Sequence, residues 1–378
     1  MQPHLLLDVK RTIYSHTNPK ATKTLVFIGG IHGNEPAGIY GLQHVIAAIC
    51  KHKLELQCNL YALAGNLNAI QKNIRYETTD LNRLWTHENI QKITSQTTFN
   101  SQEEKEQAEL HECIQDILNT HSGTFIFIDL HTTSSETIPF ITISDSLKNR
   151  AFVSNFQLPI ILGIEEYLDG PLLTYINEFG YIALGFEAGQ HEDPEAVKNC
   201  ETFIWQALMA AEALTKHTIE PLNVLPKNFL KVKNLGTFYE ISDRYHLKKE
   251  ENFTMKPGFK NFDTIQKSQE IATSNSTTIN ANVSGKIFMP LYQKQGDDGF
   301  FIITEISTFW LKLSSMFRTL NLHHVLRILP GVQQDKSNAN ALIVNPKIAA
   351  FLATKIFHLF GYRKKVLKSE KWYFIKRD

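Results

Sequence analysis

A histidine and a glutamate lie close together in the glycine-rich segment Gly29-Gly30-Ile31-His32-Gly33-Asn34-Glu35-Pro36. His32 and Glu35 are three residues apart. In a turn that leads into a helix, this spacing can bring both side chains to one point. An imidazole and a carboxylate together suit Zn²⁺. Such a pair is also common on helix surfaces, so the segment alone is weak evidence for a metal site.

A second histidine ends an apolar run in Asp129-Leu130-His131. If the strand before His131 runs parallel to the strand before His32, both histidines emerge at the same edge of the sheet. Three protein ligands and a water are the usual pattern of catalytic zinc. We therefore predict one Zn²⁺ on His32, Glu35 and His131, with Asp129 as a hydrogen-bond partner of His131. By itself, His131 is better explained as a hydrogen-bonded loop histidine.

A third strand ends in a carboxylate, in Phe186-Glu187-Ala188-Gly189. A glutamate beside zinc that does not bind it can take a proton from a water and pass it to a leaving nitrogen. Glu165, Glu166 and Glu192 have the same side chain. Only Glu187 ends a well-defined strand pattern, so we predict that it is the catalytic glutamate.

Two arginines lie between these strands, at Arg75 and in Asp80-Leu81-Asn82-Arg83. A guanidinium can polarise a scissile carbonyl. An Asn-Arg pair can hold a substrate carboxylate through a bidentate contact. The alternative is a surface loop of solvated arginines, and residue type alone favours that alternative.

Short apolar runs alternate with amphipathic segments over the first half of the chain, which predicts an α/β sheet covered by helices on both sides. The predicted strands cover residues 24–28, 60–64, 125–130, 139–144, 159–162 and 181–187, and the predicted helices residues 36–51, 102–120 and 196–215. Each candidate ligand or catalytic group follows or ends one of these strands.

The pattern changes after about residue 218, where prolines and polar loops separate short apolar runs. We predict a catalytic domain over residues 1–217 and a smaller β-rich domain over residues 218–378. The last part, residues 361–378, interleaves basic and aromatic side chains. That pattern fits a nucleic-acid patch or a terminal strand with a solvated basic face, and we favour the strand.

Composition excludes several classes of function. The 378 residues are 43% hydrophobic and 20% charged, and the net charge of +1 gives no reason to expect nucleic acid or an anionic membrane as partner. No apolar run is long enough to span a bilayer, and the first residues do not resemble a signal peptide. The four cysteines are scattered without a CxxC pair, which is typical of reduced thiols and predicts a cytoplasmic protein.

In combination, the motifs resemble the succinylglutamate desuccinylase/aspartoacylase family, a branch of the zinc carboxypeptidase superfamily. The segments that carry the resemblance are His32-Gly33-Asn34-Glu35, Gly65-Asn66-Leu67-Asn68-Ala69, Arg75, Asp80-Leu81-Asn82-Arg83, Asp129-Leu130-His131 and Phe186-Glu187-Ala188-Gly189. They occur in this order and cover about the first 215 residues. One departure is that no arginine lies between residues 159 and 187, where the aspartoacylase branch has a substrate-binding one.

The resemblance implies a mixed central sheet flanked by helices, with a smaller β-rich C-terminal domain that shapes the pocket. It implies that zinc is bound by His32, Glu35 and His131 and that Glu187 transfers the proton. It also implies that Arg75 polarises the carbonyl and that Asn82 and Arg83 bind the carboxylate. The implied reaction is hydrolysis of an N-acyl amino acid that is similar to N-succinylglutamate or N-acetylaspartate.

Two other functions use the same residues. A metallocarboxypeptidase acting on peptides or cell-wall fragments would need a long open cleft. A binding or regulatory protein with an inactive metal site would have no use for a free carboxylate at Glu187. The sequence leaves a homo-oligomer open.

Overall fold

The computed structural model describes residues 9–96, 98–224, 236–248, 250–293, 296–338, 340–345, 353–368 and 371–376. Strands and helices alternate up to residue 224. The strands are β1 (Thr12–His16), β2 (Lys23–Gly29), β3 (Asn59–Ala64), β4 (Thr124–Thr133), β5 (Phe140–Ile143), β6 (Ile160–Leu162) and β7 (Ile182–Gln190). The helices are α1 (Ala37–His52), α2 (Leu67–Lys72), α3 (His87–Ser95), α4 (Gln102–Thr120), α5 (Leu147–Val153), α6 (Leu172–Glu178), α7 (Pro194–Ala210) and α8 (Lys216–Ile219).

The later part of the chain is richer in strands. These are β8 (Phe238–His246), β9 (Phe253–Met255), β10 (Thr264–Ile265), β11 (Glu270–Ser274), β12 (Thr277–Asn280), β13 (Gly285–Phe288), β14 (Asp298–Glu305), β15 (Val332–Gln334), β16 (Ala341–Val344), β17 (Tyr362–Lys368) and β18 (Lys371–Lys376). Among the residues that the structure describes in this part, the α-helices are α9 (Thr308–Thr319) and α10 (Ala353–Leu359).

One mixed sheet of eleven strands dominates the fold, in the order β1-β3-β2-β4-β7-β5-β6-β8-β14-β13-β10. The central strands β3, β2, β4 and β7 are mutually parallel, and β5 is antiparallel to β7. The mixed α/β fold that the sequence predicts is therefore confirmed. Parallel pairing also brings the ends of β2, β4 and β7 to one edge, where the candidate site residues lie.

Helices bury both faces of the central strands. On one face, Leu25 and Phe27 of β2 belong to a core that includes residues of α1 and α7. On the other face, Val26 and Ile28 belong to a core that includes residues of α4 and α6. Because both faces are covered, these strands contain long apolar runs, which the sequence analysis interprets as buried strands.

The end of the long helix α7 differs from its prediction. The helix stops at Ala210 rather than near residue 215, because Glu212 has a left-handed backbone with φ of 60°. An α-helix cannot continue through that conformation. Strand β1 was not predicted, since its five residues have no long apolar run.

The C-terminal part is only partly separate from this sheet. Strand β8 pairs in parallel with β6, so the large sheet continues past residue 217. Two smaller antiparallel sheets follow, β12-β11-β9 and β15-β16-β18-β17. A domain boundary after residue 217 stays a proposal. Strands β17 and β18 pair as a hairpin at the end of the chain. No helix in the described ranges is both long and apolar enough to cross a membrane.

Candidate metal centre and active site

Three predicted ligands meet where β2 and β4 end. His32 follows β2 by three residues, and His131 is the third residue from the end of β4. Their ligand atoms and a carboxylate oxygen of Glu35 all lie within 4.8 Å of one another. Glu35 Oε1 lies 2.9 Å from His32 Nδ1, and Glu35 Oε2 lies 3.0 Å from His131 Nδ1. All three residues are buried, with at most 8% of their surface exposed.

A second carboxylate holds the outer nitrogen of each histidine. His32 Nε2 lies 3.0 Å from Asp80 Oδ1, and His131 Nε2 lies 2.7 Å from Asp129 Oδ2. An imidazole that donates its Nε2–H to a carboxylate presents the Nδ1 lone pair inward. Both lone pairs then face the Glu35 oxygens, so acceptors point at acceptors unless a proton or a cation lies between them. Two imidazoles and one carboxylate fit the donor set of catalytic zinc.

Charge in this region shifts the nearby titrations. Burial would raise the pKa of Glu35, but the neighbouring His32 and His131 hold it well below its usual range. Burial would lower the pKa of His131, but Asp129 and Glu35 raise it well above its usual range. In both cases the folded protein favours a positive charge beside the Glu35 carboxylate, which a bound cation would also provide.

Arg75 lies against the same group. Its Nη1 donates to Glu35 Oε1 at 3.3 Å and its Nη2 to Asp80 Oδ2 at 3.1 Å. Its carbonyl also accepts a hydrogen bond from Gly33 N. A Cβ at Gly33 would lie 2.0 Å from the Ala69 backbone, so only glycine fits between His32 and the start of α2. The guanidinium is thereby fixed beside the three predicted ligands.

Glu187 differs from the other carboxylates of the site. It lies on β7 opposite His131 of β4 and lines the same cavity. Its Oε2 atom is buried and has no hydrogen-bond partner among the described residues. Burial raises the pKa of Glu187 to about 8. It is therefore a carboxylate with a strong tendency to hold a proton, and a cation bound nearby would favour its ionised form.

Asn82 and Arg83 line the cavity from the 3₁₀ turn Leu81–Arg83. Asn82 Oδ1 accepts from Leu172 N at 3.0 Å, which leaves its amide NH₂ for a ligand. Arg83 Nε lies 3.5 Å from Asp297 Oδ2, and the Asp297 side chain is largely exposed. The solvated-loop alternative does not describe Arg83, whose side chain is 25% exposed.

The structure adds two groups whose contacts the sequence did not predict. Asp80 bonds to His32 and Arg75, whereas the sequence analysis assigns roles in this segment to Asn82 and Arg83. His191 lines the cavity and lies 2.8 Å from Thr132 Oγ1 through Nδ1. In the sequence, the position of His191 directly after the strand that carries Glu187 is the feature that could have identified it. Glu165 also lines the cavity, whereas the exposed Glu192 does not.

The later part of the chain supplies part of the cavity wall. Three of its lining residues follow β13, namely Met289, Leu291 and Gln293. Two more are Asp297, just before β14, and Phe301, within β14. The C-terminal region thus shapes the cavity, as the resemblance implies.

Residues 21–211 match the family model described as the succinylglutamate desuccinylase/aspartoacylase catalytic domain. The chain is 26% identical over 220 residues to a probable aspartoacylase of Acaryochloris marina, which covers 54% of this chain and 69% of that protein. It is 39% identical over 66 residues to a succinylglutamate desuccinylase of Photorhabdus laumondii, which covers 18% of this chain and 20% of that protein. The match with this desuccinylase therefore spans only about a fifth of its length.

Solved structures have a similar fold at low sequence identity. A succinylglutamate desuccinylase of Vibrio parahaemolyticus aligns with a TM-score of 0.58 and 15% identity, over 77% of this chain and 84% of that one. A product-bound ectoine utilization protein of Ruegeria pomeroyi aligns with a TM-score of 0.54 and 16% identity, over 75% of this chain and 86% of that one. Since the family model matches half of its residues, this chain belongs to the succinylglutamate desuccinylase/aspartoacylase family.

Proposed function

We propose that this protein is a zinc-dependent deacylase that hydrolyses the amide bond of an N-acyl amino acid. The observation that carries the proposal is the meeting of three groups in one cavity. These are a His-Glu-His donor set, a buried carboxylate without a hydrogen-bond partner among the described residues, and two arginines. Family membership supports the same class of reaction.

His32, Glu35 and His131 would hold the zinc ion, and Asp80 and Asp129 would orient the two imidazoles. When bound there, Zn²⁺ supplies a Lewis acid that polarises a carbonyl and makes a water acidic near neutral pH. The buried setting strengthens these electrostatic effects, because little water is present to screen them.

Glu187 would move the proton. In its ionised form it accepts a proton from the attacking water as the water oxygen bonds to the acyl carbon. It then returns that proton to the amide nitrogen as the carbon–nitrogen bond breaks. The products are a carboxylic acid and a free amino acid. The absence of a hydrogen-bond partner for Oε2 among the described residues supports this role, because that oxygen is not committed elsewhere.

The two arginines would bind different parts of the substrate. Arg75, fixed by Glu35 and Asp80, donates to the acyl carbonyl oxygen as negative charge develops on it. Arg83 and the Asn82 amide NH₂ would hold the carboxylate of the amino acid. The substrate carboxylate would then compete with Asp297 for the Arg83 guanidinium.

We expect the cavity to take a small substrate and not a polypeptide. Residues that follow β13, together with the start of β14, form part of its wall. A metallocarboxypeptidase would need a long open cleft there for a chain to run through. This part of the wall therefore supports a deacylase over the carboxypeptidase alternative.

The first test is zinc content together with hydrolysis of a panel of N-acyl amino acids and short peptides. We expect about one zinc per chain, hydrolysis of N-acyl amino acids, and loss of that activity with a chelator. Preferred release of C-terminal residues from peptides would support the carboxypeptidase instead. Zinc without hydrolysis of either class would support a binding protein.

The second test separates the two arginines. Arg83→Ala should mainly raise KM, because it removes binding common to substrate and transition state. Arg75→Ala should mainly lower kcat, because its contact strengthens as the oxyanion forms. Arg327, which is exposed and does not line the cavity, supplies the control variant Arg327→Ala. Equal and negligible effects at both positions would contradict the assignment.

A further inference from the structure

The loop that joins α2 to the 3₁₀ turn carries two side chains that contact the predicted zinc ligands. Arg75 donates to Glu35, and Asp80 lies against His32. Residues 73–80, all of which the structure describes, belong to no helix or strand. Their backbone N–H groups therefore need partners outside regular secondary structure. The contacts that hold this loop also decide where the Arg75 guanidinium lies.

A buried carboxylate of α4 accepts hydrogen bonds from the middle of the loop. Glu103 Oε1 accepts from Glu77 N at 2.7 Å, and Glu103 Oε2 accepts from Thr78 Oγ1 at 2.5 Å and from Thr78 N at 3.3 Å. Glu103 is fully buried. Burial would raise the pKa of its carboxyl, but the bonds from Thr78 and Glu77 hold that pKa below its usual range. The group is therefore an ionised acceptor for all three donors.

The helix that carries Glu103 is itself held in place. Its N-cap residue Ser101 accepts from Glu104 N, which satisfies one of the free N–H groups of the first turn. Farther along α4, Leu110 and Ile114 belong to the core that also contains residues of β2. Glu103 thus connects the loop to an element that packs against the central sheet.

The other contacts of Arg75 do not fix the loop by themselves. Asp80 belongs to the same loop and would move with it. Glu35 Oε1 accepts from Arg75 Nη1 at 3.3 Å, which is a long hydrogen bond. The Arg75 carbonyl accepts from Gly33 N at 3.2 Å, and this bond anchors the main chain at one point. The bonds to Glu103 supply a second anchor, two and three residues farther along the chain.

Building on the proposed deacylase activity, we propose that Glu103 is a positioning residue that fixes Arg75 against the acyl carbonyl of the substrate. Glu103 does not line the cavity, so it acts through the loop. Without its carboxylate the loop would keep a single anchor, and the guanidinium could turn away from the developing oxyanion. A misplacement of about 1 Å can cost about 100-fold in rate.

The first experiment compares the kinetic constants of Glu103→Gln and the parent, both loaded with zinc. The substrate is whichever of N-acetylaspartate and N-succinylglutamate the parent hydrolyses faster. Glutamine keeps the volume but places an NH₂ group against at least one donor of the loop. We expect kcat to fall about 10–100-fold. KM should change less than about threefold, because Asn82 is held separately by its bond from Leu172 N.

Two further variants test whether the effect is specific to the loop. Glu104→Gln is the matched control, since Glu104 is the next residue of α4 and its carboxylate bonds to Lys92 and to Asn100 N. It should leave kcat unchanged. Thr78→Val, at an exposed position, removes the hydroxyl donor while Glu103 stays in place, and it should cause a smaller loss of kcat. An equal loss in Glu104→Gln would overturn the inference, and so would an unchanged kcat in both Glu103→Gln and Thr78→Val.

A double-mutant cycle separates the positioning of Arg75 from a general loss of stability. If Glu103 acts through Arg75, Glu103→Gln should have little further effect on kcat once Arg75→Ala is present, because the group that it positions is gone. The two single losses would then be far from additive. Retention of the full Glu103→Gln loss in the Arg75→Ala background would overturn the inference.

Amide hydrogen exchange measures the contact between Glu103 and the loop without reference to activity. The N–H groups of Glu77 and Thr78 should exchange at least about tenfold faster in Glu103→Gln than in Glu104→Gln, since their acceptor is weakened. Unchanged exchange at these two residues would refute the inference even in an active enzyme. If the zinc-loaded parent hydrolyses no N-acyl amino acid, the proposed function fails, and the exchange rates still decide whether Glu103 holds the loop.

Discussion

Within the described part of the chain, two buried clusters of charged side chains can be compared, and their charges are balanced in different ways. The histidine cluster comprises His32, Glu35, Arg75, Asp80, Asp129 and His131. The arginine cluster comprises Asp145, Arg150, Glu166, Arg318, His358 and Arg363. In the first, three carboxylates share one guanidinium. In the second, three guanidiniums surround two carboxylates.

In the arginine cluster, the protein supplies every charge that its carboxylates need. Asp145 accepts hydrogen bonds from Arg150 of α5, Arg318 of α9 and Arg363 of β17. Arg363 also bonds to Glu166. A buried carboxylate with such partners stays ionised without an added ion. The cluster therefore joins the C-terminal elements to the central sheet and needs no ligand.

In the histidine cluster, two imidazoles and one guanidinium face the carboxylates, whereas the arginine cluster has three guanidiniums and one imidazole. A neutral imidazole offers a lone pair and no charge, so these carboxylates need either protonated histidines or a bound cation to balance them. The difference between the clusters teaches that buried acids alone do not identify a metal site. The side chains that pair with the buried carboxylates make the difference, because arginines neutralise them fully whereas neutral histidines leave a negative charge that a cation can balance.

The largest expected effect concerns the carboxylate beside the histidine cluster. Glu187→Gln should lower kcat by about 10²–10⁴-fold, because the proton carrier is lost while the side-chain volume is kept. Zinc content should stay close to that of the parent. Glu192→Gln, at an exposed position five residues along, is the control and should have little effect. Loss of zinc in Glu187→Gln would instead make Glu187 a ligand.

Breaking the arginine cluster should reduce stability instead of activity. Asp145→Asn leaves buried guanidiniums without their main partner and should cost about 3–5 kcal/mol of unfolding free energy. Urea denaturation measures it, with the exposed Asp116→Asn as control. The stabilisation gained on adding zinc should be the same as in the parent. A smaller zinc increment would show that the two clusters are coupled.

Acid should weaken the arginine cluster in a defined range. Burial would raise the pKa of Glu166, but His358 and Arg363 lower it from 4.5 to about 2. A depressed pKa means that the ionised form is favoured by folding, so its contribution is complete above about pH 4.5 and is lost as the pH falls towards 2. The contribution is about 3 kcal/mol on this scale.

Urea denaturation of the parent and Glu166→Gln, with a chelator present, measures this contribution. The parent should be the more stable protein at pH 7, and the difference should shrink as the pH falls from 4.5 to 3. A difference independent of pH over that interval would assign the effect to packing and not to charge.

The smallest expected effect lies in the outer contacts of the histidine cluster. Asp80→Asn keeps an oxygen that can accept from Asn82 N but weakens the orientation of His32. Zinc affinity should fall about 10–100-fold, as is usual when such a partner is lost. Competition with a chromogenic chelator measures it. Glu166→Gln should leave zinc affinity unchanged, and equal losses in the two variants would remove the distinction between the clusters.

The sequence itself was sufficient for the central strands and for the groups at their ends. Residues 24–28 and 125–130 are apolar because helices cover both faces of β2 and β4. His32, His131 and Glu187 could be identified because a histidine or glutamate at or shortly after the end of such a run is a local signal. Parallel pairing then brings the strand ends together. The resemblance added the order of the motifs and the roles they imply.

Only the tertiary structure decided which polar groups become partners. Asp80 meets His32 across 48 residues, and Asp145 meets Arg318 and Arg363 across 173 and 218 residues. Apolar periodicity reports that a residue is buried, because burial repeats along the chain with the period of its helix or strand. It does not report the partner, since a hydrogen bond or ion pair depends on the position of a single atom in another part of the fold.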